Sequence, residues 1–356
     1  MRQDDTTKQR PIRVLIVDDD PVYRLVLSKT FAALNGVEVV GVAPSLAIAR
    51  SKLTLEAVDI VTIDVVLREE SGLTLLPWLR EHHPRVTSVL LTAGTVREAS
   101  QAVDALLLGA STLVLKPGGV MAQKELSEAL TRIVRGVVSG PVAKPVFVAR
   151  LPLHEARERE IIAVGASTGG PPVVVQFLRD LPRSFDTPIL LTQHMPALHM
   201  PYFAELVARE SGKNVQLSQH GAKVERGSVY LACDDKHMRL VRRGTALHLE
   251  QIEGPQEHHC RPAVDPMFRS VAEVCGAACV GVVMTGMGAD GALGAQALRS
   301  KGAPVVVQDQ ATSVVWGMPG ATANLGAASE IVPASELARA VQRWTLSHSP
   351  REAQSA

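Results

Sequence analysis

Between residues 12 and 137, short apolar runs alternate five times with helical patterns, and this alternation leaves little choice of fold. Strands are expected at Ile12–Val17, Val37–Val42, Asp59–Asp64, Val86–Thr92 and Thr112–Lys116, with helices starting near Pro21, Ser45, Gly72, Val96 and Gln123. Five βα units in succession predict one parallel sheet with helices on both faces, a flavodoxin-like (βα)5 domain. In such sheets the working groups sit just past the carboxyl ends of the strands, at the topological switch point. Asp18, Asp19 and Asp20 fall there after the first strand, Asp64 ends the third, Thr92 the fourth and Lys116 the fifth.

Asp18, Asp19 and Asp64 together suit Mg²⁺, which prefers oxygen ligands. A phosphoryl group arriving on Asp64 would be neutralised by that ion, and Thr92 and Lys116 would hold its remaining oxygens. Asp20, directly before Pro21, reads instead as a helix N-cap. The segments Val17-Asp18-Asp19, the strand ending in Asp64, Leu91-Thr92-Ala93 and Lys116-Pro117 resemble the receiver domain of two-component response regulators. The resemblance implies phosphorylation of Asp64 by a histidine kinase, with Mg²⁺ held by Asp18, Asp19 and Asp64. Two positions depart from that pattern. Val66-Leu67-Arg68 replaces the usual acidic-Met-Pro sequence, and Leu113 stands where an aromatic usually precedes the lysine.

A chain of 356 residues exceeds one comfortable core, so a second domain is expected. Residues 138–160 mix Pro with dense charge and read as an inter-domain linker; residues 1–10 and 347–356 read as disordered tails. That leaves a receiver at 11–137 and an α/β catalytic domain at 161–346, doubly wound and mainly parallel. Its further strands are expected near Pro188–Gln193, Cys279–Thr285 and Pro304–Gln308, with a strand-rich excursion from Val215 to Leu249 and a last helix from Ser335 to Leu346. Charge is balanced, with 37 basic against 36 acidic residues, which speaks against nucleic acid as a partner. No apolar run reaches membrane-spanning length, and the polar residues 1–10 lack the apolar core expected of a signal peptide. Four cysteines fit a reducing compartment, so a cytoplasmic protein is expected, as a monomer. The group His258-His259-Cys260 is metal-like, but it has no second paired cluster at a zinc-like spacing.

In the second half an apolar run, Ile161–Ala166, ends in Ser167-Thr168-Gly169-Gly170-Pro171-Pro172. The serine therefore sits on a sharp strand-to-helix turn, where amides at the helix N-terminus can receive an oxyanion. A glycine loop of this kind can also simply close a turn or cradle a phosphate. Gly286-Met287-Gly288-Ala289-Asp290-Gly291 is a literal G-x-G-x-x-G opening a helix, with Asp309 ending the next strand, which raises a dinucleotide-binding oxidoreductase as one reading. Two points oppose it: the fingerprint comes late in its domain, and Asp290 would face a pyrophosphate of like charge. The rival reading makes Asp290 the orienting acid of a triad. Ser167 is the nucleophile, His194 at the end of the strand Pro188–Gln193 is the base, and the amides of Thr168 and Met287 form the oxyanion site. His199, His220, His237, His258 and His259 compete for the base role and read mainly as surface or loop residues, although His258 and His259 could line a cleft.

Six segments, in order, resemble the catalytic domain of chemotaxis protein-glutamate methylesterases (the CheB family). They are Gly165–Gly170, Gln193–Pro196, Asp235–Met238, Arg261–Asp265, Thr285–Gly291 and Trp316–Pro319. The resemblance implies a Ser167, His194, Asp290 triad that needs no cofactor. It also implies methyl-accepting chemoreceptors as protein substrates, demethylated at glutamate γ-esters, and glutamine deamidation at the same site. Here Ala232-Cys233-Asp234-Asp235 replaces the more usual Ala-Pro-Gly-Asp turn, and His199 falls in a loop where an aromatic is common. A different class of protein, a non-enzymatic phospho-regulated adaptor, would keep the receiver and use the second half only as a binding surface.

Overall fold

The computed structural model describes residues 10–68, 70–116, 120–138 and 159–345. Residues 1–9 and 347–356 of the expected tails, most of the expected linker and Pro117 lie outside the described residues, whereas Arg10 is tied to Asp59. The chain divides into two compact units, Met1–Gly140 and Pro141–Ala356. Among the described residues no helix is long and apolar enough to cross a membrane.

The first unit runs β1 (Ile12–Val17), α1 (Pro21–Ala32), β2 (Val37–Ala43), α2 (Leu46–Leu55), β3 (Ile60–Asp64), α3 (Leu75–His82), β4 (Thr87–Thr92), α4 (Val96–Leu107), β5 (Thr112–Leu115) and α5 (Val120–Val138). Its five strands lie in the order β2-β1-β3-β4-β5, all parallel. The centre of the sheet is covered on both faces, so β3 and β4 are buried throughout and carry near-continuous apolar sequence rather than alternation. Three of its helix starts have a local reason. Asp20 accepts from Val22 N at 2.7 Å and Pro21 follows it; Ser45 caps α2; Thr95 accepts from Glu98 N at 3.2 Å. The chain passes to opposite sides of β1 on reaching β2 and β3, which makes the β1/β3 edge the switch point.

The second unit runs β6 (Ile161–Ala166), α6 (Gly170–Asp180), β7 (Ile189–Gln193), α7 (Met200–Ser211), β8 (Asn214–Leu217), β9 (Ser228–Leu231), β10 (His237–Arg243), β11 (Ala246–Ile252), α8 (Val264–Cys275), β12 (Cys279–Val283), α9 (Ala292–Ser300), β13 (Val305–Gln308), α10 (Gly317–Asn324), β14 (Glu330–Val332) and α11 (Leu337–Trp344). Seven parallel strands form one sheet in the order β14-β13-β12-β6-β7-β9-β8. The strand-rich excursion splits in two. β8 and β9 extend the main sheet, whereas β10 and β11 form a separate antiparallel hairpin. Met238, Leu240 and Leu249 of that hairpin pack into the core with Met267, Phe268 and Val271 of α8. Sequence gave no sign of β14, a three-residue edge strand too short to show a period. The chain leaves β6 toward β7 on one side and returns as β12 on the other, so the switch point lies at the carboxyl end of β6.

Candidate active site and phosphoacceptor pocket

Ser167 follows β6 at this switch point. Register pairs Ala166 with Gln193, so the next residues, Ser167 and His194, stand side by side where the two strands end. The serine backbone is pinned from three directions. Ser167 N donates to Thr285 O at 3.0 Å; Ser167 O accepts from Gly170 N at 2.8 Å and from Gln193 Nε2 at 2.9 Å. The glycines around it mark close approaches. Gly169 takes φ +74°, and a Cβ there or on Gly170 would collide with Val314 or with the Gln193 amide.

His194 Nε2 lies 2.7 Å from Asp290 Oδ2. The carboxylate is buried, yet every lobe is used: Oδ2 also accepts from Val264 N at 2.7 Å, and Oδ1 accepts from Asp265 N and Gly291 N at 2.9 Å each. Val264 and Asp265 open α8, whose N-cap, Ala263, has no side chain able to cap it. Asp290 thus caps a helix from a distant loop, and the positive helix end favours its charge. Burial pushes the Asp290 carboxyl up, but His194 and these amides outweigh it and hold the group below its ordinary value. Burial likewise disfavours the His194 imidazolium, but Cys260 and Asp290, both hydrogen-bonded to the ring, outweigh it and hold the group above its ordinary value. Nε2 is the ring nitrogen that faces Asp290. Ser167 Oγ forms no hydrogen bond with another described residue, which makes it the open end of the array.

The amides of Thr168 and Met287 donate to no acceptor among the described residues, and neither does that of Gly288. The Met287 loop is locked to its surroundings: Gly286 N donates to Val315 O at 3.0 Å, Met318 N to Gly286 O at 2.9 Å, and Thr285 Oγ1 to Thr168 O at 2.9 Å. The G-x-G-x-x-G segment therefore serves close packing. A Cβ on Gly317 would lie 2.7 Å from Gly288 N and 2.8 Å from Gly286 O, so the start of α10 occupies the approach a pyrophosphate would need. Asp309 caps its own turn, accepting from Thr312 N at 3.0 Å. The dinucleotide reading is corrected accordingly.

Two of the competing histidines are not surface residues. His199 is buried, and burial lowers its pKa to about 4. His237 is also buried and bonds Pro255 O through Nε2 and Ala263 N through Nδ1. His258 is exposed, in a loop as expected, and its ring meets the buried carboxylate of Asp265 at 3.0 Å. Sequence reasoning gave no role to Asp265, to Cys260 beside His194, or to Gln193 as a clamp on Ser167. An acid in the first turn of a helix looks like a local cap, and no pattern along the chain reveals a contact to a different helix.

In the first unit Lys116 Nζ reaches both Asp64 Oδ2, at 2.6 Å, and Asp18 Oδ2, at 2.7 Å. Asp18, Asp19 and Asp64 each offer an oxygen within 4.8 Å of the others. Three carboxylates face a single ammonium here, and such an all-oxygen set fits a hard divalent cation. Burial pushes the Asp64 carboxyl up to about 6, against the pull of Lys116. Burial also opposes the charge on Lys116, but Asp18 and Asp64 outweigh it and hold the ammonium above its ordinary value. Thr92, at the end of β4, is fully buried. Arg68, in the departed segment, stretches to Asp19 Oδ2 at 3.1 Å, and Leu113 is buried in the core.

The sequence model of the CheB methylesterase family matches residues 162–341, and that of the response regulator receiver domain matches residues 14–131. A "Protein-glutamate methylesterase/protein-glutamine glutaminase" of Trichodesmium erythraeum is 36% identical over 349 residues, 93% of this chain and 98% of that protein. A second protein so named, numbered 4, from Anaeromyxobacter dehalogenans is 37% identical over 343 residues, 94% of this chain and 95% of its own. Among solved structures, the CheB methylesterase catalytic domain of Thermotoga maritima superimposes with a TM-score of 0.51 at 31% identity, over 52% of this chain and 97% of that one.

Proposed function

The chain belongs to the CheB methylesterase family, and on that premise we propose that it is a receiver-controlled serine hydrolase. It removes methyl groups from glutamate γ-methyl esters of chemoreceptors and deamidates receptor glutamines at the same site. The observation that carries this reading is the His194–Asp290 pair, closed at 2.7 Å and seated beside Ser167 at the switch point of the catalytic sheet. The adaptor reading gives no reason for that arrangement.

Ser167 Oγ attacks the ester carbonyl carbon while the His194 imidazole takes the hydroxyl proton; Asp290 orients the ring and stabilises the imidazolium. The tetrahedral oxygen is received by the amides of Thr168 and Met287. His194 returns the proton to the departing methoxide, which leaves as methanol, and an acyl-serine remains. Water then attacks under the same base, and glutamate and free Ser167 are regenerated. A glutamine side chain follows the same course with ammonia as the leaving group.

The receiver implies a histidine kinase partner, and Asp64 is the phosphoacceptor. Asp18, Asp19 and Asp64 would hold Mg²⁺, which when bound neutralises charge on the incoming phosphoryl group. Lys116 and Thr92 meet the phosphoryl oxygens, and Lys116 thereby exchanges its contact with Asp64 for one with the modified residue. Phosphorylation then biases a two-state equilibrium toward active enzyme in the cytoplasm. The test is methanol release from methylated receptor, comparing wild type, Ser167→Ala and Asp64→Asn with and without a small acyl phosphate donor. Release that requires Ser167, and that the donor stimulates only when Asp64 is present, supports both parts. Release that survives Ser167→Ala overturns the assigned nucleophile.

A further inference from the structure

The two buried acids near the triad cap each other's helices. Asp290, in the loop before α9, accepts from Val264 N and Asp265 N at the start of α8. Asp265, on α8, accepts from Gly294 N in the first turn of α9 at 2.6 Å. Gly291, the N-cap of α9, has no side chain to do this itself. A Cβ on Gly294 would fall 3.0 Å from Asp265 Oδ1, so the exchange requires glycine at that position. Asp290 therefore depends on Asp265 for its seat: displacing Asp265 shifts an amide that Asp290 accepts from and the helix end behind it.

Asp265 is fully buried, and its second oxygen is met by the His258 imidazole, Nε2 to Oδ2 at 3.0 Å. His258 is delivered by a strained turn. His258 and His259 have φ of +52° and +60°, in the left-handed region that favours glycine. Backbone bonds between Glu257 and Cys260, at 2.9 and 3.1 Å, close the turn, and Glu257 pairs with Arg269 of α8 at 2.6 Å. Strain of this kind persists only where the surroundings impose it and is concentrated at functional positions. The same turn also sends Cys260 to the His194 ring, so it reaches both the histidine and the acid of the triad.

We propose that His258 is a positioning residue for the hydrolytic reaction: by donating to Asp265 it holds that carboxylate in place, and through it fixes Asp290 and the base His194. The charged groups shown beside this pair are Asp290 from the loop before α9 and Arg269 from α8, which is itself paired with Glu257 of the His258 turn. Without the His258 donor, Asp265 protonates more readily. Asp290 is then held less rigidly, and the pKa of His194 changes with it. The inference rests on the triad reading above.

The test compares His258→Ala, which removes the donor, with His258→Gln, whose amide N–H reaches a similar distance from Cβ. Methanol release is measured across pH, with Ser167→Ala as the blank. In parallel, proton NMR on the same full-length proteins follows the low-field resonance of the His194–Asp290 hydrogen bond. His258→Ala is expected to lower kcat by about tenfold with KM within about twofold, to shift the acid limb of the profile, and to move or broaden the resonance. His258→Gln is expected to recover kcat to within about threefold and restore the resonance. The inference is overturned if Ala and Gln are equally impaired, or if Ala leaves the acid limb and the resonance where wild type has them. Absence of Ser167-dependent release in wild type sinks the hydrolase reading instead, and the resonance comparison still decides the role of His258.

Discussion

Gly286→Ala probes how tightly the Met287 loop and the serine are fitted together. A Cβ at this position would overlap Met318 Sδ and lie 2.8 Å from Ser167 Cβ, where ordinary contact begins at 3.4 Å. The methionine chain can turn aside. Ser167 cannot, because its amide is held by Thr285 O at 3.0 Å and its carbonyl by Gln193 Nε2 at 2.9 Å. The alanine therefore forces a displacement of about 0.6 Å shared between Ser167 and the amide of Met287. A misplacement of about 1 Å costs on the order of 100-fold in rate, so a 10- to 100-fold loss in kcat/KM is expected, about 1.4–2.7 kcal/mol of barrier. Overpacking should lower stability by about 1–3 kcal/mol, read from urea unfolding. Adding Met318→Ala should recover part of that stability and none of the activity, since it relieves only the methionine contact. A folded Gly286→Ala enzyme with kcat/KM within threefold of wild type would refute the reasoning.

Asp290→Asn removes the charge that supports the imidazolium. Methanol release should fall by about 10³- to 10⁴-fold, and since His194 loses a partner that raises its pKa, the acid limb of the residual rate should move to lower pH. Arg68→Ala frees Asp19 from an exposed ion pair that must open before a cation can use that carboxylate. Mg²⁺ affinity, read from the midpoint of thermal unfolding against Mg²⁺ concentration, should rise by about two- to fivefold. The raised Asp64 pKa carries a definite sign. The folded receiver binds this proton more tightly than the unfolded chain, so ionisation as pH rises from 3.8 through about 6 costs folded-state stability. The same ionisation creates the nucleophile, so phosphorylation by an acyl phosphate, followed on phosphate-affinity gels, should increase as pH rises through about 6. Added Mg²⁺ should carry that increase to lower pH.

Much of the architecture was legible because both units are built from local signals. Apolar runs of strand length, a Pro after Asp20, Ser45 and Thr95 before their helices, and strands bounded by turn residues specify βα units without reference to distant parts of the chain. Parallel sheets also place working residues by rule, so Asp18, Asp64 and Lys116, and likewise Ser167 and His194, could be assigned to strand ends from sequence alone. The edge strand β14 was not legible, since three residues carry no period. The histidines were misjudged because burial is a property of packing: His199 and His237 resemble polar loop residues until neighbouring elements close over them.

The sequence by itself determined the class of each unit, the strand ends at which chemistry can occur, and the candidate residues at them. Tertiary structure decided which of those residues share a site and in what state. Asp290 meets His194 instead of lying in a dinucleotide fingerprint because it caps α8, whose own N-cap is alanine, while the start of α10 closes over the glycine loop. Asp64 acquired its pKa from burial, and Asp265 and His258 acquired their place from a reciprocal exchange of caps between helices. Hydrogen bonds, desolvation and close contact act over a few ångströms in space, and residues 25 to 96 positions apart come within that range only once the sheet and its helices have packed.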